Sequence, residues 1–318
     1  MHAIRHHEFG PADVLRLESI PDPEPAAGQL RIAVEAAGVH LLDTSIRAGE
    51  AFGAGPAPDL PIVPGREVAG VVDAIGPGVD PGWLGRRVVA HLGFGGGGYA
   101  EQAVVDAGRA HPIPEGMDAA TAVAAIGTGR TATAILELAE LQPDDVVVVT
   151  SAAGGLGPLL LQGATNVGAR TVGVAGGPDK TALVSRFGAT LALDRHSPDW
   201  QLRLHDVGTP TVVLDGVAGP VGRALYRSLA PGGRLVRFGW SSGEQNDYAD
   251  PQRRVIDVLG PPILDRIEEF EWAALAAAAD GTRVPHVGTA LPLAEAAEAH
   301  RALETRAAVG KVVLVVPR

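Results

Sequence analysis

The sequence predicts an α/β protein that combines a doubly wound parallel sheet with a second, β-rich domain. From about residue 118 to residue 260, short β-branched runs alternate with segments of helical periodicity, as in parallel strands joined by helices. Residues 1 to about 118 are instead rich in glycine, proline and short alternating apolar runs, which favours antiparallel strands. A glycine-rich turn at residues 151–157 joins the first parallel strand to its helix.

The elements follow in order along the chain. Alternating apolar residues predict strands of the β-rich part at 30–36 and 87–90. The same reasoning predicts parallel strands at 146–150, 171–175, 190–193, 211–215 and 234–238, helices over 268–280 and 293–303, and a final strand over 310–316.

The turn after the first parallel strand has the pattern of a dinucleotide-binding loop. Ala152, Gly154 and Gly157 occupy the three glycine positions of the motif G-x-G-x-x-G. Gly154 lets the backbone approach a pyrophosphate, Gly157 lets the helix pack closely on the strand, and the helix start offers free N–H groups. Such turns also occur without a ligand, so the motif alone leaves both interpretations open.

The end of the second parallel strand indicates which dinucleotide is preferred. Sites that prefer NAD usually carry an acid there for the ribose 2′-hydroxyl, but this strand ends in Ala175 and Gly176. Lys180 lies just beyond it, and Arg195 follows the third strand. Either cation is also explained as an ordinary solvated charge. Because no carboxylate would repel a 2′-phosphate, the sequence favours NADPH.

Composition excludes several classes of function. The formal net charge of −11 argues against non-specific binding to nucleic acid or to an anionic membrane, since either needs a basic face. The chain has no cysteine, which excludes disulfides, thiolate nucleophiles and cysteine-ligated zinc. No apolar run is suited to crossing a bilayer, and we expect a cytoplasmic protein that acts on a small molecule.

Seven segments, in this order and spacing, resemble the zinc-independent medium-chain dehydrogenases/reductases of the quinone oxidoreductase type, the group that includes zeta-crystallin. The resemblance covers nearly the whole chain. The segments are 37–43, 60–72, 97–101, 129–132, 151–157, 231–236 and 309–314.

The resemblance implies a β-rich domain of residues 1–118 and 263–318, similar to a chaperonin-10 barrel and closed by the C-terminal segment. It implies an inserted Rossmann domain of residues 119–262. It places the cofactor in a cleft between the two domains and suggests a homodimer. By match to the family, the residues expected at the cofactor are Thr131 beside the nicotinamide, Ala152, Gly154, Gly155, Leu156 and Gly157 at the pyrophosphate, Gly176 and Lys180 near the 2′-phosphate, Arg195 near the adenosine, and Phe238 and Gly239 on the strand that passes the nicotinamide.

The same comparison suggests chemistry without a metal. Zinc-dependent relatives carry a cysteine at the position of His40 and a histidine at that of Arg66. By the resemblance, His40 stands where quinone reductases often have an asparagine, and its imidazole is our candidate donor of a hydrogen bond or proton to the substrate. Asp43 keeps an acid of the family. A purely structural alternative stays open, in which His40 satisfies a backbone group and Asp43 caps a short helix.

These observations lead to a ranked set of functions. We expect a zinc-independent, NADPH-dependent oxidoreductase that transfers hydride to a quinone or another conjugated carbonyl compound. An enoyl-type double-bond reductase is the first alternative. A non-catalytic NADPH-binding protein is the alternative from another class, as the crystallin role of the family illustrates.

Overall fold

A computed structural model describes residues 1–50, 58–93 and 95–317. The strands are β1 (His2–Arg5), β2 (Arg16–Ser19), β3 (Gln29–Val39), β4 (Glu67–Ile75), β5 (Arg87–His91), β6 (Gln102–Asp106), β7 (Ala110–Pro112), β8 (Val146–Val149), β9 (Arg170–Ala175), β10 (Leu191–Asp194), β11 (Val212–Asp215), β12 (Arg234–Arg237), β13 (Arg254–Asp257), β14 (Val287–Pro292) and β15 (Lys311–Val315). The helices are α1 (Leu41–Ala48), α2 (Ala119–Ala124), α3 (Arg130–Ala139), α4 (Gly157–Val167), α5 (Pro178–Arg186), α6 (Trp200–Arg203), α7 (Gly219–Ser228), α8 (Pro261–Leu264), α9 (Ile267–Ala279) and α10 (Ala296–Glu304).

The chain divides into two compact units. The first unit comprises Met1–Gly127 and His286–Arg318, and the second comprises Thr128–Pro285. The sequence predicts the divisions at 118 and 262. The second division differs because α9 packs against α3, and Glu271 of α9 forms an ion pair with Arg130 of α3 (3.0 Å). The apolar face of α9 is thus buried within the second unit.

The first unit is built on a mainly antiparallel sheet with the strand order β14-β15-β3-β4-β5-β7, and β6 also pairs with β3. The long strand β3 lies at its centre, and alternate residues along most of it are buried. In the antiparallel register, Ala37 of β3 faces Val68 of β4, and Val39 faces Val312 of β15. The end of β3 therefore lies between the beginnings of β4 and β15.

The second unit contains a fully parallel sheet with the order β10-β9-β8-β11-β12-β13. Counted along this unit, the order is 3-2-1-4-5-6, that of a dinucleotide-binding sheet. The predicted fold class is confirmed, and the five predicted strands match β8 to β12 closely. The sequence did not predict the edge strand β13, because it is short and begins and ends with charged residues. No helix in the described part of the chain is long and apolar enough to cross a membrane.

Candidate active site and cofactor turn

His40 lies at the junction of β3 and α1, where its extended backbone starts the helix. Asp43 reaches back to this junction, and its Oδ2 accepts a hydrogen bond from the backbone N–H of His40 (2.8 Å). The same carboxylate accepts hydrogen bonds from Arg66 Nε (3.2 Å) and from the Tyr99 hydroxyl (3.1 Å). Burial raises the pKa of Asp43, but the Arg66 charge and these bonds hold it below its ordinary value. Asp43 is thus a buried anion that fixes the backbone of His40.

The side chain of His40 contacts two charged residues that β4 and β15 supply. Its Nε2 lies 2.6 Å from Oε2 of Glu67 and 2.8 Å from Nζ of Lys311. Lys311 Nζ is 3.5 Å from the same Glu67 oxygen. Glu67 and Lys311 begin their strands on either side of β3, so the sheet register brings the three groups together. Burial lowers the pKa of His40, and the Lys311 charge lowers it further against the opposing effect of Glu67.

Two glycines enclose the Glu67 carboxylate. A Cβ atom at Gly127 would lie 1.6 Å from Oε1, and one at Gly38 would lie 2.5 Å from Oε2. Neither position tolerates a side chain unless Glu67 moves. Although burial opposes ionisation, the neighbouring His40 and Lys311 keep the pKa of Glu67 well below its ordinary value. Glu67 is therefore a fixed carboxylate.

These residues do not fit a zinc site. The oxygens of Asp43 are already bonded by protein groups, which leaves the His40 imidazole and the Glu67 carboxylate as zinc ligands at this place. Catalytic zinc needs three ligands from the protein. The Lys311 ammonium group, in contact with His40 Nε2, would also repel the ion. In the residues described, no three side chains of His, Cys, Asp or Glu are grouped as metal ligands.

A second chain of hydrogen bonds runs from Asp43 through Tyr99 and His300 to Arg47. Tyr99 OH lies 3.3 Å from Nε2 of His300, whose Nδ1 lies 3.3 Å from NH1 of Arg47. Arg47 in turn pairs with Glu304 near the surface. Because arginine only donates, Nδ1 of His300 accepts, Nε2–H donates to Tyr99, and Tyr99 donates to Asp43. Burial lowers the pKa of His300 to about 4, so its imidazole is neutral near pH 7.

In the second unit, the glycine-rich turn links β8 to α4 as predicted. A Cβ atom at Gly157 would lie 2.2 Å from the carbonyl oxygen of the buried Ala152, so only glycine fits where the helix meets the turn. Gly154, Gly155 and Leu156 are half-buried and directly precede the first turn of α4. The turn therefore has the close packing and the free helix start that a pyrophosphate site needs.

The end of β9 is flanked by cations. Arg195 lies over Gly176, since a Cβ atom there would be 3.0 Å from Arg195 Nε. Lys180 is half-buried in the first turn of α5. Burial lowers the pKa of Lys180, and the nearby Arg195 charge lowers it further. Asp194 Oδ1 is occupied by the backbone N–H groups of Gly177 and His196, both at 2.9 Å.

The remaining predicted cofactor residues lie on β12 and α3. Phe238 directly follows β12, and its ring covers Gly216 at the end of β11, where a Cβ atom would lie 2.4 Å from the ring. Gly239 lies against the same glycine. Thr131 is half-buried in the first turn of α3, a helix that packs against β12. The predicted cofactor residues outside α3 thus lie at the carboxyl ends of parallel strands, namely the turn after β8, Gly176, Arg195 and Phe238. His40 and Asp43 belong instead to the first unit.

Sequence reasoning missed four residues of the first unit: Glu67, Tyr99, His300 and Lys311. Glu67, Tyr99 and Lys311 lie within segments that carried the family resemblance, but nothing in those segments indicated a shared site. A lysine at the head of the apolar run 312–316 was the one available signal, because a charge there needs a partner. The sequence contained no comparable signal for His300.

Comparison with known proteins identifies the family of this chain. Residues 26–115 match the family model of the alcohol dehydrogenase GroES-like domain, and residues 187–314 match that of the zinc-binding dehydrogenases. The quinone oxidoreductase of Sus scrofa is 30% identical over 326 residues, which cover 99% of this chain and 98% of the relative. The chain belongs to the quinone oxidoreductase family. As a member, it is an NAD(P)-dependent oxidoreductase.

Two further relatives of this family member bear on its chemistry. A mycobacterial protein whose structure was determined in complex with NADPH is 34% identical, with a TM-score of 0.86 and coverage of 99% of this chain and 100% of the other. A 2-haloacrylate reductase of Burkholderia is 29% identical over 340 residues, covering 99% of this chain and 98% of the relative.

Proposed function

We propose that this chain is a zinc-independent reductase that uses NADPH to reduce quinones or other conjugated carbonyl compounds. The proposal rests above all on Lys180 and Arg195, the two cations that flank the end of β9. An anion placed between them is attracted to both and offsets their mutual repulsion. A 2′-phosphate has this charge, whereas the 2′-hydroxyl of NADH does not.

The residues of the second unit fit the rest of the cofactor. The pyrophosphate would be held by the turn of Ala152, Gly154, Gly155, Leu156 and Gly157, and Arg195 would lie near the adenosine. We assign the nicotinamide end to Thr131, Phe238 and Gly239. When bound, NADPH supplies the hydride. A dinucleotide complex of a 34% identical mycobacterial relative supports this assignment.

His40 supplies the proton in this proposal. Its side chain is 22% exposed, so the imidazole is accessible although Glu67 and Lys311 are buried. Asp43 acts through His40: both of its oxygens are already bonded by protein groups, and it holds the backbone from which the imidazole projects. Zinc independence is supported by the Lys311 ammonium group at His40 Nε2.

The test follows nicotinamide absorbance while EDTA-treated protein is offered NADPH or NADH together with simple quinones and enones. We expect about tenfold or greater preference for NADPH, since one charge-assisted hydrogen bond contributes about 1.5–3 kcal/mol. Lys180→Ala and Arg195→Ala should reduce this preference. Arg186→Ala is the matched control, because Arg186 is an exposed cation of α5, the helix that carries Lys180.

Three other outcomes would each contradict one part of the proposal. Loss of activity with EDTA would overturn zinc independence. Tight NADPH binding without turnover of any acceptor would favour the non-catalytic binding protein. Equal use of NADH would overturn the role of Lys180 and Arg195.

The similarity to the 2-haloacrylate reductase favours a second candidate, an enoyl-type reductase that acts on a carbon–carbon double bond. In that reaction His40 would protonate carbon or an enolate oxygen rather than a quinone oxygen. Faster turnover of enones and acrylates than of quinones would select this candidate.

We further propose a homodimer formed through the edge strand β13. In the described ranges, β13 pairs with β12 on one side alone, and the exposed Leu259 and Leu264 follow it. Light scattering on the purified chain tests this, and a monomer at micromolar concentration would contradict it. The cytoplasmic location also stays a prediction, which cell fractionation would test.

A further inference from the structure

His40 Nε2 lies between two oppositely charged groups. It is 2.6 Å from the Glu67 oxygen, which only accepts hydrogen bonds while it is ionised, and 2.8 Å from Lys311 Nζ, which only donates them. Lys311 Nζ is also 3.5 Å from the same carboxylate oxygen. Glu67 therefore favours a proton on Nε2, whereas Lys311 favours a bare nitrogen there.

The charges around His40 balance only while its imidazole is neutral. Glu67 contributes one negative charge and Lys311 one positive charge, both in buried positions. Asp43 also faces the imidazole, but its charge is compensated by Arg66, and His91 is a further basic group near Glu67. A second proton on His40 leaves an uncompensated positive charge in this cluster, next to the Lys311 ammonium group.

We propose that Lys311 is a positioning residue of the active site, whose ammonium group opposes protonation of His40 and so makes the imidazolium ion a stronger proton donor to the substrate. This inference rests on the proposed function, since it assigns a partner to the proton donor of that reaction. Glu67 and Lys311 have opposite effects: the carboxylate favours the imidazolium ion and the ammonium group opposes it.

The proposal has a direct kinetic consequence. In each turnover, the substrate accepts hydride from NADPH at carbon and one proton from the His40 imidazolium ion at oxygen, which leaves the neutral imidazole. The neutral imidazole then regains its proton from water. The rate of reduction therefore falls as pH rises through the pKa of His40, and the residues that set this pKa determine where the fall occurs.

The experiment measures kcat for reduction against pH in three variants. In Lys311→Met, we expect the midpoint of the fall to move upward by about one pH unit or more, because a neighbouring charge is removed. Glu67→Gln should move the midpoint downward. Lys311→Arg retains the charge and should keep the midpoint of the wild type. Unchanged midpoints, or shifts of Lys311→Met and Glu67→Gln in the same direction, would overturn the proposal.

A second measurement does not depend on turnover. NMR titration of the histidine ring signals, with His40 identified by its loss in His40→Gln, reports the same midpoints directly. If Lys311→Met does not fold, Lys311→Gln removes the charge and keeps a polar group. If the two variants shift the His40 midpoint in opposite directions but the protein turns over no acceptor, the role of Lys311 is retained and the proposed reductase is rejected. If the protein turns over an acceptor but the midpoints do not shift, the reductase is retained and the role of Lys311 is rejected.

Discussion

The two units of this protein form their sites from different kinds of groups, charged side chains in the first and mainly backbone in the second. In the first unit, buried ionised side chains neutralise one another: Asp43 with Arg66, and Glu67 with Lys311. In the second unit, the cofactor turn consists of backbone and glycines, and its cations are only half-buried. Because desolvated charges interact strongly and exposed ones weakly, the first site is sensitive to changes of charge and the second to added volume.

The largest expected effect comes from removing a buried charge in the first unit. Asp43→Ala leaves Arg66 buried without its carboxylate and removes the acceptor of three hydrogen bonds. We expect a loss of about 3–5 kcal/mol in the free energy of unfolding, measured by urea denaturation. Asp59→Ala, at an exposed aspartate of the same unit, is the control and should change stability by less than about 0.5 kcal/mol. Equal effects of the two would contradict the comparison.

The buried His300 makes the stability of the first unit depend on pH. The unfolded chain binds this proton below about pH 6.5, but the folded chain binds it only below about pH 4. Stability should therefore fall as pH decreases through this window, by about 3 kcal/mol for this residue. His300→Gln should flatten the pH dependence of unfolding, while His205→Gln, at an exposed histidine, should leave it unchanged. Parallel curves for all three proteins would reject this assignment.

Added volume tests the second unit. In Gly157→Ala, the new Cβ atom would meet the Ala152 carbonyl oxygen at 2.2 Å, whereas in Gly154→Ala it would lie 3.2 Å from the Ser151 carbonyl oxygen. We expect Gly157→Ala to lose about 1–3 kcal/mol of stability, and Gly154→Ala to lose less. Thermal unfolding with and without NADPH measures both. A larger loss for Gly154→Ala would mean that the helix does not need this close approach.

The smallest expected effect concerns Trp240, which is 41% exposed just beyond β12. A planar ring here is suited to stack against a flat substrate. Trp240→Ala should raise KM for a quinone a few-fold and leave the affinity for NADPH unchanged. Steady-state kinetics together with NADPH titration would show an equal loss in both if Trp240 instead supports the cofactor.

The two units also differ in how much the sequence alone could predict. The strands β8 to β12 and the turn at Gly157 were predicted because their patterns are local: β-branched runs, helical spacing and glycines. The cluster at His40 was not, because Glu67 and Lys311 lie 27 and 271 residues away and meet His40 only through the register of β3 with its neighbours. Local patterns determine elements, but this site depends on how distant strand ends align.

The role of Asp43 shows the same limit. The sequence suggested either a catalytic acid or a helix cap, and both interpretations fitted its position three residues after His40. Only the structure shows that its oxygens bond the His40 backbone, Arg66 and Tyr99 at once. No sequence pattern distinguishes a side chain that touches the substrate from one that orients its neighbour.

The most direct test asks whether the first unit supplies the proton and the second unit binds the cofactor. It compares His40→Gln with Lys180→Ala by measuring the dissociation constant of NADPH and the single-turnover rate of quinone reduction at saturating NADPH. We predict that His40→Gln slows the rate about a hundredfold or more and leaves NADPH affinity unchanged, since the Asp43 bond to its backbone is kept. Lys180→Ala should weaken NADPH binding about tenfold and keep the rate. An unchanged rate in His40→Gln, or losses of affinity that are equal in both variants, would contradict the account.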